Sequence, residues 1–501
     1  MNMIPRYENA AIKDIWSDEA KLARWQVVEL AVIEARVKLG LTDKSIFDAI
    51  DGALSAEENE PDIALWHQLD KELKHDLNAF IHERRRFIAP EFQSEFHKDM
   101  TSYDTEEPAF AHTLVESHHV VDRNLDNIIG MLKMQAVKYR YTLMLERTHG
   151  QGAKLRSFGG RLLTYVAELE FHRRMLHHAI VQISQNSRLS GAIGNYGGGL
   201  TPEIELETLD SLFLVPFIGA TQIVPRSVFA PLAQSLANLC ETFGKMALDF
   251  RLGARSGNPL WQEPFGKLQM GSSAMPHKKN TINTEQMGGM AIMARSYATG
   301  LASCIQTWEA RAIEQSCVER VFWPDLFHVT LRMLSIMEKV YGDMTIYPDN
   351  MLAEVHDSRG TYASDEAKNF LAEEFGKRGI DADTAYRVIQ LASFDIFAVN
   401  SERQKLRDTV PSSAEETEES VSSNKAFRLP PATQSLRDYI PMAELRVVPT
   451  LNATKRDVAE WNGLLREVFA DETTRGAWEE IFKPSHLLKQ EAHIFDHLLN
   501  D

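Results

Sequence analysis

The chain has no uninterrupted apolar run near the roughly 20 residues that span a bilayer, and its start, MNMIPRYENAAIKDIW, lacks the basic-then-apolar order of a secretory leader. The expectation is therefore a protein without membrane contact, located in the cytoplasm. Cysteine is scarce: Cys240, Cys304 and Cys317 stand far apart in apolar surroundings, which fits neither a disulfide framework nor a metal knuckle and predicts packing residues. Positive charge is in deficit, with a formal net charge of −17 over 501 residues. Such a surface repels a polyanion, so no nucleic-acid polymer is expected as a partner, although locally concentrated cations can still hold a small anion. Proline is absent between Pro108 and Pro202 and between Pro348 and Pro411, gaps that permit long helices. Period-two runs flanked by turn residues are few, and no strand, Gly-rich loop and helix follow one another as a nucleotide fold requires.

What is present is a chain with 44% apolar and 25% charged residues, enough for large cores and about two to four domains. Phe229, Leu232, Leu236, Leu239, Phe243, Met246 and Phe250 recur at three-four spacing, one apolar seam over about six turns of a bundle helix. A second seam, Trp25, Val28, Val32, Ala35 and Leu39, closes with Gly40 where a helix-ending glycine belongs. The fold class is all-α. Breaks in the pattern predict an N-terminal helical domain over 1–110, a central long-helix bundle over 111–346 and a C-terminal helical domain over 347–501. The polar stretch Pro90 to Pro108 and the turn IYPDN, Ile346 to Asn350, mark the two boundaries. Within the last domain PSSAEETEESVSSNK, Pro411 to Lys425, reads from its low hydrophobicity and negative charge as a disordered or solvated loop.

Four polar stretches interrupt the helical pattern. KHD, Lys74 to Asp76, reads as a solvated patch early in a helix; HKDMTSYD, His97 to Asp104, as a capping segment; and RTHGQ, Arg147 to Gln151, as a helix end with Gly150 at the cap. GSSAMPHKKN, Gly271 to Asn280, resists such a reading. A linker has no use for Met-Pro between small residues and cations, and a solvated basic patch has none for paired serines. TINTEQMGGMAIMARSY then resumes a helical pattern, which puts the bases and the asparagine at a helix N-terminus, where backbone N–H groups favour an anion. The chemistry to expect is a loop closing over a carboxylate, with a serine available for proton transfer at the adjacent carbon. Such a loop is expected to be mobile without substrate and ordered with it.

GSSAMPHKKN resembles the signature of the aspartase/fumarase superfamily of lyases. Other stretches follow in that family's order: RY at Arg6 and Tyr7, KHD, TS at Thr101 and Ser102, RTHG at Arg147 to Gly150, SGAIGNY at Ser190 to Tyr196, TQ at Thr221 and Gln222, and RAIEQSCVER at Arg311 to Arg320. The likeness covers about residues 6–365 and resumes at FKPSHLLKQ, while 404–448 finds no counterpart and reads as an insertion. The resemblance implies a C–N lyase of the branch that releases fumarate from succinylated purine nucleotides, in a homotetramer whose long helices bundle together, with no metal or organic cofactor.

It also implies roles. Ser272 matches the base, His149 the acid that protonates the departing nitrogen, Glu285 the group that orients this histidine, and His75 a second histidine near the substrate phosphate. Lys278 and Asn280 would hold the succinyl carboxylates with Thr101, Ser102 and Gln222, while Arg6, Tyr7, Arg311, Ser316 and Arg320 would hold the nucleotide end; Lys74, Asp76 and Ser273 complete the substrate-binding set. Arginine suits phosphate because its planar fork offers paired donors. Three residues depart from the family pattern: Tyr103 beside the Thr101–Ser102 pair, Arg156 where a small hydroxyl is usual, and Thr281 in place of a proline. They bear on the identity of the substrate and leave two other readings open, another lyase or cycloisomerase of the superfamily and a non-catalytic helical scaffold.

Overall fold

The structure, a computed structural model, describes residues 3–408, 435–445, 449 and 456–500. The chain divides into two compact units, residues 1–132, 165–255 and 262–345 in the first and 133–164, 256–261 and 346–501 in the second. Among the described residues no helix is long and apolar enough to cross a membrane.

The chain begins with α1 (Ala10–Ile15), α2 (Asp18–Lys38), α3 (Lys44–Leu54), α4 (Ile63–Leu73), α5 (Asp76–Arg85) and α6 (Ser102–Lys138). Strands β1 (Leu143–Thr148) and β2 (Gln151–Ser157) follow, then α7 (Phe158–Ser184), α8 (Pro202–Ser211), α9 (Ala230–Gly253), α10 (Ile282–Ser303) and α11 (Glu314–Asp343). The last part holds α12 (Pro348–Asp357), α13 (Ser364–Gly376), α14 (Ala382–Asp408), α15 (Leu436–Met442), α16 (Val458–Val468), α17 (Glu472–Glu480), α18 (Pro484–Leu487) and α19 (Glu491–Asn500).

In the first unit α9 packs on α10 and α11, and all seven residues of its predicted seam are buried, each stabilising by about 1.5–3 kcal/mol. The α2 seam is buried from Trp25 to Ala35, whereas Leu39, at the helix end, is exposed. Ser17 caps the start of α2 by accepting from Ala20 N–H at 3.1 Å. At its end Gly40 takes φ +71°, and the N–H groups of Leu41 and Gly40 donate to the carbonyls of Arg36 and Val37 at 2.8 and 3.0 Å. That pairing satisfies the last carbonyls, and the left-handed position explains the glycine.

The second unit has its own core. Ala363, Leu371 and Phe375 of the α13 region, Val388 and Ala392 of α14, Trp461 and Leu465 of α16, and Trp478 of α17 form one buried cluster. Leu436, Tyr439 and Ile440 of α15 join it, so part of the expected insertion is core. The solvated loop expected at Pro411 to Lys425 lies outside the described residues.

Four sequence expectations are corrected. Helix α6 starts at Ser102 and runs through Pro108; Asp104 Oδ2 accepts from Thr101 N–H at 2.8 Å, half of a capping box that sets the start before the proline. RTHGQ is the turn of an antiparallel hairpin and not a helix end: Leu143 pairs with Ser157 and Thr148 with Gln151, and His149 and Gly150 between them take φ +54° and +78°, the left-handed pair that a two-residue hairpin turn favours. KHD joins two helices, Lys74 ending α4 in the left-handed region and His75 capping α5. Cys240 and Cys304 are buried as packing residues, but Cys317 is exposed.

Candidate functional site

In the first unit KHD and TS come together. His75 Nδ1 accepts from Asn78 N–H at 3.3 Å. This leaves the proton on Nε2, which donates to Ser102 Oγ at 3.3 Å. Asp76 beside it accepts from Arg320 at 2.8 Å and from Lys21 at 3.3 Å. Burial works to raise the Asp76 carboxyl, and Lys21 and Arg320 overcome it, holding it below its ordinary value. Lys21 lies over the rings of Trp25 and Trp66 at 4.5 and 4.9 Å, a cation–π seat that fixes the ammonium. It belongs to none of the motifs, and no local pattern marks it.

Arg320 and Ser316 line a cavity of about 520 Å³ with Lys21, Tyr103 and Glu106. Burial, and then the Asp76 charge, push the Glu106 carboxyl up to about 7. Below it Arg226 is buried between Glu107 and Glu319, with Nη1 2.5 Å from Glu107 Oε1 and Nε 3.0 Å from Glu319 Oε1. Tyr103 is buried and its hydroxyl accepts from Gln315 Nε2 at 3.2 Å. The Arg311 guanidinium covers its ring at 3.9 Å and donates to Gln222 Oε1 at 2.9 Å. The added ring thus serves as a platform for one of the predicted substrate-binding cations.

SGAIGNY and TQ are knit to the TSYD segment by a residue that the motif reading missed. Arg188, 0% exposed, reaches Asp104 Oδ1 at 2.7 Å and the Gln222 carbonyl at 2.7 Å. Burial raises the Asp104 carboxyl against this partner. Gly194 has φ +80°, and a Cβ there would lie 1.9 Å from the Ala220 carbonyl oxygen, so only glycine permits that approach. The one available signal was a lone arginine next to SGAIGNY.

The signature loop precedes α10. Ser272 Oγ accepts from the N–H groups of Ala274 and Met275 at 3.4 and 3.3 Å. Ser272 N–H donates to the Lys278 carbonyl at 3.3 Å, and Lys278 N–H to the Met275 carbonyl at 3.0 Å, so the loop curls around the serine. Gly271 is required there: a Cβ would lie 2.7 Å from the Lys278 carbonyl oxygen. Ser273, Lys278 and Glu285 are exposed and Asn280 is half-buried. Thr281 takes the cap position of α10 without a side-chain cap bond. The α10 N-terminus is already filled, contrary to the expectation that it awaits an anion. Glu263, buried, accepts from Asn283 N–H at 3.2 Å and from Thr284 N–H at 2.8 Å, and also takes the Asn283 amide and Thr284 hydroxyl protons at 2.8 and 2.7 Å. The first backbone donors of α10 are therefore already engaged.

Arg6 is exposed and Tyr7 half-buried in the turn before α1, and neither is bonded to the cluster around Asp76. In the second unit His149 is exposed at the tip of the β1–β2 hairpin. Arg156 on β2 pairs with Glu146 and Glu491 of its own unit at 3.6 and 3.7 Å.

The sequence is similar to the adenylosuccinate lyase of Synechocystis sp., with 31% identity over 418 residues, 83% of this chain and 93% of that one. It is similar to the adenylosuccinate lyase of Thermotoga maritima at 32% identity, over 77% of this chain and 87% of that one. In fold it matches a fumarate lyase from Mesorhizobium sp. BNC1, with a TM-score of 0.75 at 17% identity over 99% and 98% of the two chains. It also matches the β-carboxy-cis,cis-muconate cycloisomerase of Acinetobacter calcoaceticus, with a TM-score of 0.73 at 16% identity over 98% of each chain. The model of the lyase family matches residues 4–295, more than half of the sequence. A signature loop wound about its serine, relatives above 30% identity over most of their length and a family match of this extent lead to one conclusion: the chain belongs to the lyase family.

Proposed function

We propose that this chain is an adenylosuccinate lyase, which splits N6-succinyl-AMP into AMP and fumarate by β-elimination and releases fumarate from the succinylated aminoimidazole carboxamide ribotide of purine biosynthesis. The observation that carries the reading is the seat of Ser272, whose Oγ receives two backbone N–H groups within the signature loop. A serine is a poor base until its alkoxide is stabilised, and preorganised amide donors provide that stabilisation. The relatives named adenylosuccinate lyase support the choice of substrate.

In this mechanism Ser272 Oγ takes the proton from Cβ, and the electron pair left behind delocalises into the neighbouring carboxylate. Lys278 and Asn280, with Thr101, Ser102 and Gln222, meet the charge that builds there. The C–N bond then breaks, the pair on carbon closes the double bond of fumarate, and His149 delivers a proton to the departing nitrogen while Glu285 orients it. Arg6, Tyr7, Arg311, Ser316 and Arg320 hold the nucleotide end, with His75, fixed by Ser102, near the phosphate. The reading includes a cytoplasmic homotetramer with each active site built from motifs of three subunits.

The test is fumarate release from succinyl-AMP at neutral pH. Wild-type protein is expected to be active, with His149→Ala and Ser272→Ala each slower by about 10²–10⁴-fold, the usual weight of general acid–base catalysis. Full activity in Ser272→Ala would sink the assignment of the base. A folded but inactive wild type would overturn the substrate and turn attention to Tyr103 and to other succinyl compounds.

A further inference from the structure

The hairpin that carries His149 is tied down at its base by the C-terminal segment of the chain. Leu145 of β1 and Leu155 of β2 are buried with Val355, and Leu487 and Leu488 pack against them. Three residues on, Glu491 opens α19 with its side chain 12% exposed. Both its carboxylate oxygens accept from Ser157 N–H at 3.3 Å, where β2 passes into α7. Gly160 leaves the room for this seat, because a Cβ there would lie 2.1 Å from Glu491 Oε1. Arg156 extends the tie: its Nε is 3.7 Å from Glu491 Oε1 and its Nη1 is 3.6 Å from Glu146 Oε2 on the facing strand. Arg161 closes the chain of charges with 3.1 Å to Glu146 Oε1.

His149 itself is exposed in a two-residue turn with both φ values positive. An isolated two-stranded hairpin is marginally stable in water, so the order of its tip has to be imposed lower down. We propose that Glu491 and Arg156 are positioning residues, which fix the hairpin base so that His149 is presented in a single orientation. Arg156, a departure from the family pattern, is then matched by a partner carboxylate of the C-terminal helix and not by the substrate. The inference rests on His149 as proton donor.

The experiment measures hydrogen exchange of the 143–157 amides, together with kcat and KM for fumarate release, in the full-length protein. Glu491→Ala, Arg156→Ala and Gly160→Ala are expected to quicken exchange about tenfold and to lower kcat about tenfold with KM nearly unchanged, because they remove a charged hydrogen bond, its neighbouring ion pair and the room for the carboxylate in turn, and none is a proposed substrate-binding residue. Glu491→Gln, which keeps an acceptor oxygen, and Arg156→Lys, which keeps the charge, should recover most of both and remain folded should the alanine variants not. Unchanged exchange in Glu491→Ala would overturn the tie, and faster exchange with unchanged kcat would overturn the positioning role. Wild-type activity in His149→Ala would instead strike down the proton-donor reading and leave the exchange result standing.

Discussion

Replacing Arg226 by methionine withdraws one cation from two buried acids. Nη1 sits 2.5 Å from Glu107 Oε1, Nε and Nη2 donate to the two Glu319 oxygens at 3.0 and 3.1 Å, and Nη1 also donates to the Val224 carbonyl at 2.9 Å. The Arg226 side chain is 2% exposed. Methionine fills most of the same volume, so the packing loss is small and electrostatics set the result. Deleting one partner of a buried pair costs about 3–5 kcal/mol, and two acids lose their counter-ion here, so the upper end, about 5 kcal/mol, is expected at pH 7.5. The sign of the pH dependence follows from Glu319, whose carboxyl burial already raises against Arg226. Without the arginine its folded pKa climbs further above the unfolded value of about 4.3. Stability from such a group is full below the unfolded pKa and is lost as pH rises through the folded one. The penalty should therefore shrink to about 2 kcal/mol or less near pH 5, where Glu319 can take up a proton. Urea midpoints by circular dichroism at pH 7.5 and 5.0 read both quantities, with unfolding rates as the measure if refolding is incomplete. A cost under about 1 kcal/mol at pH 7.5, or a cost equal at the two pH values, would refute this reasoning.

Glu106→Gln should stabilise the protein by about 1–2 kcal/mol at pH 8 and by nearly nothing at pH 4.5: the carboxyl stands at about 7 in the fold, so the wild type loses stability as pH rises through that value, and thermal melts across the range read the difference. Phe243→Ala in the α9 seam, where the ring is 0% exposed, should cost about 3–5 kcal/mol by urea denaturation; a cost under about 1 kcal/mol would mean that the seam carries little of the core.

The helices were legible because their signals are local. The α9 seam repeats every three to four residues over its whole length, and Gly40 closes α2 with cap chemistry read directly from the letters. The hairpin was not, since its buried Leu145 and Leu155 gain their partners from Val355, Leu487 and Leu488 far along the chain. The same limit applies to the site. Ser272, His75 and the cationic residues sit in motifs and could be named; Glu263, Arg188, Lys21 and Glu491 act through contacts separated by up to 334 residues and leave no spacing to read. Proximity to a motif is also a weak guide to duty: Arg156 follows RTHGQ closely, yet its partners are Glu146 and Glu491.

Glu263 gives the signature loop two fixed posts. With its carboxylate locked on Asn283 and Thr284, the stretch between is a closed loop whose ends stay put whether or not the serine region changes shape. The entropy of closing such a loop grows only logarithmically, about 0.6 kcal/mol for each doubling of length. Residues between the posts, apart from Gly271 and the proposed site residues Ser272, Ser273, Lys278 and Asn280, can thus be inserted, deleted or exchanged at little thermodynamic penalty to the bundle. The clamp separates what the loop must do from what the helices must withstand, and it marks 264–282 as the interval whose sequence can change without refolding the bundle.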